Sequence, residues 1–196
     1  HSQRLLDASD AASFDITDEN IRRSRRAYFA NISYVDDKIG EVLTALAGSE
    51  QVDNTIIVLV SDHGDMLGGR GLWFKMSFLE GSARVPMMIA APGLPPGLIE
   101  TPADLAGIDL ADIMPWTDGE SLVPLARGTP RTTPVLMEYA AEGSQAPLVA
   151  LRFERWKYIH CDLDPAQLFD LSADPDELVN LATDLMPISG KARHVA

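Results

Sequence analysis

Cysteine is nearly missing from this chain. Cys161 is the only one in 196 residues, which excludes an internal disulfide and fits a reducing compartment, so a cytoplasmic location is expected. Basic residues are scarce too. Lys plus Arg number 16 against 29 Asp plus Glu, a net charge of −13 with a pI near 4.5. That balance excludes a nucleic-acid partner and an anionic membrane surface. Long apolar runs are missing as well. The longest centres on Thr55–Val60, far short of the roughly 20 residues of a membrane-spanning helix. No leader peptide is recognisable, and a chain that opens on His1 rather than Met is expected to lack an upstream portion. Apolar residues at 46% and charged residues at 23% are those of an ordinary globular protein with a real core.

Periodicity gives the organisation. Residues 1–17 are polar and aperiodic and read as a tail or loop. Thr17-Asp18-Glu19-Asn20 then offers a capping side chain and early acids. Ile21, Tyr28, Ile32, Val35, Ile39, Val42, Leu43 and Leu46 recur at helical spacing, so a helix is expected to run to about Ala47 and stop at Gly48. The basic patch Arg22-Arg23-Ser24-Arg25-Arg26 reads as a solvated face pairing with nearby acids. Thr55–Val60 is a continuous β-branched run, expected as a buried strand at the centre of a parallel sheet. A second strand is expected at Pro86–Ala90, a Pro/Gly-rich turn over 92–102 and a short helical piece at Ala103–Leu110. Pro134–Tyr139, Leu148–Phe153 and Lys157–His160 read as strands, the last two a hairpin turning at Glu154-Arg155. An edge strand is expected at Gln167–Asp170, and a turn at Asp174-Pro175-Asp176-Glu177. The division is a tail at 1–17, an α/β core over 18–130 and a small subdomain over 131–196.

The first strand ends abruptly at Ser61-Asp62-His63-Gly64-Asp65. In open α/β sheets, ligands sit beyond the carboxyl ends of strands, which puts Asp62 and His63 where chemistry is expected. A carboxylate and an imidazole can share a divalent cation. On the dipeptide alone, Asp62 as a turn cap and His63 bonded to backbone is the stronger reading. The neighbouring glycines, which let backbone approach a ligand closely, favour the site. Lys75 could turn its ammonium to an anion or simply lie on the surface with its stem covered. Cys161 reads as a structural thiol.

Several blocks carry a resemblance. Val58–Gly68, Gly71-Leu72-Trp73-Phe74-Lys75 and Glu80-Gly81-Ser82-Ala83-Arg84-Val85-Pro86, preceded by the helix Tyr28–Gly40, resemble the sulfatase branch of the alkaline-phosphatase-like superfamily. Trp116–Leu122 and Met137–Glu142 are most similar to the choline-sulfatase group of that branch. The resemblance spans roughly residues 20–182. It implies the C-terminal part of an α/β sandwich with a mainly parallel sheet, followed by a small antiparallel sheet. It implies hydrolysis of a sulfuric ester, choline O-sulfate to choline and sulfate. Asp62 and His63 would be ligands of a divalent metal, usually calcium. Lys75 would contact the sulfate and offset charge on the leaving oxygen. Glu138 would face the quaternary ammonium, which has no proton to donate and needs a carboxylate and aromatic faces. The small sulfate ester is the implied partner, with homo-oligomer formation open.

The chain also departs from the pattern. The family nucleophile is a formylglycine made from the cysteine of a Cys-x-(Pro or Ala)-Ser-Arg motif, and this sequence has no such motif. The formylglycine is expected in a missing N-terminal part, together with the paired aspartates of the metal site. The stretch Leu98–Gly107 is shorter than its counterpart. Two further readings therefore stand beside the sulfatase: a phosphonate or phosphate-diester hydrolase of the same superfamily, and a truncated fragment that folds without turning anything over.

Overall fold

The structure, a computed structural model, describes residues 1–92, 122, 124, 128–141 and 143–184. The helical piece expected at Ala103–Leu110, most of the 92–102 turn and the shortened Leu98–Gly107 stretch lie outside the described residues. The rest is α/β. Helix α1 (Ser2–Ala8) precedes the long α2 (Asp18–Ala47). Strand β1 (Ile57–Val60), the single-turn α3 (Glu80–Ala83) and strand β2 (Met87–Ala90) follow. Strands β3 (Val135–Tyr139), β4 (Leu148–Phe153), β5 (Trp156–Cys161) and β6 (Asp164–Asp170) close the order.

Helix α2 starts and stops as the sequence predicts. The Thr17 hydroxyl accepts from the Asn20 amide at 3.2 Å, satisfying one of the orphan donors of the first turn, and the Gly48 amide donates back to the Thr44 carbonyl. Thirty residues make it about 45 Å long. Its apolar stripe, however, is only partly covered: Ile21, Tyr28, Ile39 and Leu46 are half-buried and no residue of α2 is fully buried, while Val35 and Val42 are 53% and 68% exposed. Of the basic patch, Arg22 lies 3.9 Å from Asp18, as expected of a solvated face. Arg25 instead donates to the Leu67 carbonyl at 2.9 Å, tying α2 to the loop after β1.

The parallel arrangement expected around β1 is not found among the described strands. β1 pairs with β2 antiparallel, Ile57 opposite Ala90 and Val60 opposite Met87. Val58 and Val60 stay exposed while Ile89 is buried. A β-branched run reports extended backbone and a liking for apolar neighbours; it carries no information on partner direction. The neighbours that would bury both faces of β1 are not among the described residues.

The C-terminal strands form one antiparallel meander in the order β3-β4-β5-β6. The β4–β5 hairpin turns at Glu154, whose φ of 49° is left-handed, and β6 starts three residues before the expected edge strand. One face carries the core: Leu148, Ala150, Ile159, Cys161 and Phe169 pack with Leu72, Phe78, Leu79 and Leu5. Cys161 is buried and free, as its reading as a structural thiol requires.

Residues 1–17 are not a loose tail. Seven residues of α1 are too few to show a period in the sequence, yet Leu5 enters the core. Arg4 donates to Asp164 through Nη1 at 3.0 Å and Nη2 at 2.5 Å. His1 Nε2 lies 2.7 Å from the Met76 carbonyl. Among the described residues no helix is long and apolar enough to cross a membrane.

The Arg4 guanidinium holds the Asp164 carboxyl down at about 2. A carboxyl depressed in the folded state contributes its stabilisation above the ordinary carboxylate range and loses it as pH falls towards 2. Asp164→Asn is therefore expected to cost about 1 kcal/mol at neutral pH, the partly solvated setting limiting the figure. The deficit should shrink to nothing as pH falls from 4 to 2, as checked by urea denaturation across that range.

Candidate active site

The loop after β1 is built by short-range bonds. The Ser61 hydroxyl donates to the His63 carbonyl at 2.7 Å, folding the chain sharply as it leaves the strand. Asp62 Oδ1 accepts the His63 amide at 3.0 Å, an Asx-type bond. The ring is set by a 3.0 Å contact from His63 Nδ1 to the Gly64 carbonyl. That leaves His63 Nε2 facing Asp62 Oδ2 at 3.4 Å. The Asp62 side chain is 85% exposed and that of His63 about one-third exposed. The two expected metal-ligating groups thus sit side by side at the tip of β1, Asp62 offering an oxygen and His63 a nitrogen. Among the described residues no group of three His, Cys, Asp or Glu could hold a metal ion. The bonds of Asp62 to the His63 amide and of His63 to the Gly64 carbonyl are those of the turn-cap arrangement expected of the dipeptide alone.

The next element supports this loop from below. The Gly64 amide donates to the Ser82 carbonyl at 2.8 Å, and a Cβ on Gly64 would collide with the Gly81 carbonyl. Asp65 approaches α2: burial first, and then the Asp65 carboxylate, hold the Tyr28 hydroxyl above its usual pKa. Farther on, left-handed residues at Leu67, Gly68 and Arg70 reverse the chain, and the Arg70 guanidinium lies over the Phe169 ring at 5.3 Å.

The other two expected groups stand on other segments of the chain. Lys75 is exposed and lines a cavity of about 350 Å³ with Leu5, Leu6, Leu72, Trp73 and Met76 among its walls. Neither Asp62 nor His63 lines that cavity. Glu138 points outward from the edge strand β3, opposite Val149. Strand alternation puts Tyr139 on the other face, against the core. Among the aromatic groups on the Glu138 face are Tyr158 and His160, stacked at 6.4 Å with 10° between planes, with Phe153 and Trp156 farther along it. The structure sets Asp62 and His63 in contact, and the Phe74 carbonyl, next to Lys75, accepts the Met66 amide of the same loop at 3.3 Å.

Sequence reasoning missed a buried ionic cluster. Lys157, on the inward face of β5, is 1% exposed and donates to the Phe78 carbonyl at 2.8 Å. It pairs with Glu80 and lies 2.9 Å from Glu177 Oε1. The signal was present: Lys157 falls on the same parity as Ile159 and Cys161, where an unpaired charge does not survive.

Gly64→Ala is expected to lower stability by about 1–3 kcal/mol, because the added carbon must push α3 away. The His63 ring signals should move in the NMR spectrum. An unchanged His63 spectrum with full stability would show that the close approach is not required.

Comparison with known proteins places this geometry. The sulfatase family model matches residues 1–116. The chain is 62% identical over 192 residues to choline-sulfatase of Rhizobium meliloti, covering 93% of this chain and 38% of that protein, so it spans well under half the relative's length. A solved 2-O GAG sulfatase superposes with a TM-score of 0.74 at 30% identity, covering 86% of this chain and 40% of that one. Phosphonate monoester hydrolase of Agrobacterium radiobacter gives 0.68 at 31% identity, over 87% and 39%. The fold is thus alkaline-phosphatase-like, in the part these proteins carry towards their C-terminal end, and the chain belongs to the sulfatase family.

Proposed function

We propose that this chain supplies part of the metal site and the alcohol side of the substrate pocket in a choline-sulfatase, an enzyme that hydrolyses choline O-sulfate to choline and sulfate. The observation that carries the proposal is the 62% identity to choline-sulfatase along 93% of the chain. The adjacency of Asp62 and His63 at the end of β1 agrees with it. The division into an α/β core over 18–130 and a subdomain over 131–196 goes with this reading, which assigns the metal loop to the first and Glu138 to the second.

Asp62 and His63 would hold the divalent cation, proposed to be calcium. Bound there, it would polarise the ester and help orient the nucleophile. Asp62 Oδ2 suits the task, because its nearest partner is an imidazole rather than a cation that would compete for it. An oxygen and a nitrogen cannot fill the six to eight oxygen positions calcium prefers; the remaining ligands must come from outside the described residues. The nucleophile, a formylglycine, must come from outside this chain, since no Cys-x-(Pro or Ala)-Ser-Arg occurs in it. Lys75 is assigned to the sulfate oxygens, where an ammonium offsets charge on the departing alkoxide. Glu138 is assigned to the trimethylammonium group, with the Tyr158 ring on its face of the sheet. The proposed partner is the small sulfate ester, with no nucleic acid or membrane involved and homo-oligomer formation open. The buried, unpaired Cys161 supports a cytoplasmic location. A phosphonate or phosphate-diester hydrolase is the second reading, favoured by the likeness to the Agrobacterium radiobacter enzyme. A folded fragment without turnover is what the missing nucleophile predicts for the chain alone.

Two measurements test this. The isolated chain should release no choline from choline sulfate, with or without calcium. In an enzyme completed by a formylglycine-bearing N-terminal portion, Glu138→Gln should lower kcat/KM for choline sulfate at least tenfold, about 1.4 kcal/mol. The same change should leave a neutral aryl sulfate nearly untouched. Equal losses on both substrates would remove Glu138 from the cation's site.

A further inference from the structure

We infer that Lys157, with Glu80 and Glu177, is a positioning group for the Asp62–His63 loop, acting through α3. The cluster joins three separated pieces of chain: β5, the start of α3 and the turn after β6. Lys157 Nζ donates to the Phe78 carbonyl at 2.8 Å and pairs with Glu80. Glu177, itself 2% exposed with a left-handed φ of 56°, accepts the Glu80 amide on Oε2 at 2.6 Å while Oε1 faces Lys157 at 2.9 Å. The start of the single-turn α3 is thereby fixed to the C-terminal part of the chain. Its next residues hold the loop: Ser82 O receives the Gly64 amide at 2.8 Å, and the Gly81 carbonyl abuts Gly64. Gly64 O in turn meets His63 Nδ1 at 3.0 Å. From the buried ammonium one route runs through the Phe78 carbonyl and the backbone of α3 to Gly64 and the imidazole, and the Glu80 and Glu177 carboxylates brace its start.

The geometry explains the location of the charges. A lysine in the middle of a core strand is costly unless every donor is used. The same packing could be had from a methionine if covering Phe78 were the only requirement. What methionine cannot do is hold the Phe78 carbonyl and Glu80 at once, and so fix where α3 stands relative to β5. The use of this coupling rests on the reading above that Asp62 and His63 hold a cation. The coupling itself is a property of this chain and is tested without one.

The test is amide hydrogen exchange on the full 196-residue chain, resolved by NMR, with Lys157→Met and Glu177→Gln. Lys157→Met should speed exchange of the Gly64 amide about tenfold and shift the His63 ring signals, while Ala150 in β4 and Leu43 in α2 change less than about twofold. Glu177→Gln keeps an oxygen for the Glu80 amide and removes the ion pair, so it should give the same selective pattern at about two- to threefold. It carries the test alone if Lys157→Met does not fold. Exchange that rises equally at Gly64, Ala150 and Leu43, or a Gly64 amide that does not respond, overturns the coupling. A calcium titration followed at His63 in the unaltered chain separates the two claims. No response there counts against the metal reading, and the exchange pattern still decides the coupling.

Discussion

The structure turns on one buried ammonium. Lys157 sits at 1% exposure between two carboxylates and ties the C-terminal sheet to the segment carrying the candidate site, beside the Glu80 amide bond to Glu177 and the Arg70–Phe169 contact. Removing one partner of such a cluster leaves an uncompensated buried charge, typically worth 3–5 kcal/mol. The cluster holds together because it is lopsided. Glu80 is a quarter exposed and sheds part of its charge to water. Glu177 is fully enclosed and needs both the ammonium and the Glu80 amide. Apolar burial around Phe169 and Phe78 supplies most of the stability; the ionic cluster decides in which orientation that burial occurs.

The four-stranded sheet and the α/β layer differ in how self-sufficient they are. The meander closes its core with residues near it in sequence plus Leu5 and the Leu72–Leu79 stretch. Among the described residues the α/β layer does not close. α2 leaves Phe29, Ile32, Val35 and Val42 of its stripe exposed, and β1 keeps Val58 and Val60 exposed. The ends of this 30-residue helix are locally encoded, through the Thr17 cap and the stop at Gly48. Burial of its face is not, because the partner must come from elsewhere. A chain that spans 38% of its choline-sulfatase relative leaves such a face uncovered without any local defect.

This division also governs what could be read in advance. The α2 boundaries and the hairpin at Glu154 were legible, since caps and turn residues act over a few neighbours; Cys161 was legible as a structural thiol from its residue type, although the strand expected at Lys157–His160 runs one residue farther to include it. The adjacency of Asp62 and His63 was legible for the same reason. α1 was not, because seven residues show no period and its role depends on Leu5 and Arg4 meeting β-strands far along the chain. The direction of β1's partner was not, because Thr55–Val60 has the same composition beside a parallel or an antiparallel neighbour. Lys157 stood in plain view at an inward position, but its carboxylates lie 77 and 20 residues away in opposite directions, and nothing local announces them. The tip of β1 is therefore encoded locally and its support non-locally.

Charge gives a last reason to prefer the proposed substrate over other sulfate esters. A chain carrying −13 repels a simple aryl sulfate over the Debye length, about 8 Å at physiological salt. Choline O-sulfate is a zwitterion with no net charge, so that repulsion largely cancels during approach. At contact its two ends separate the problem. The sulfate needs positive groups, which Lys75 and a cation on Asp62 and His63 would provide. The trimethylammonium needs negative charge, which the acidic surface has in excess and which Glu138 offers on an open sheet face. The acidity of this chain opposes the approach of an anionic ester and leaves a zwitterion such as the proposed substrate unaffected.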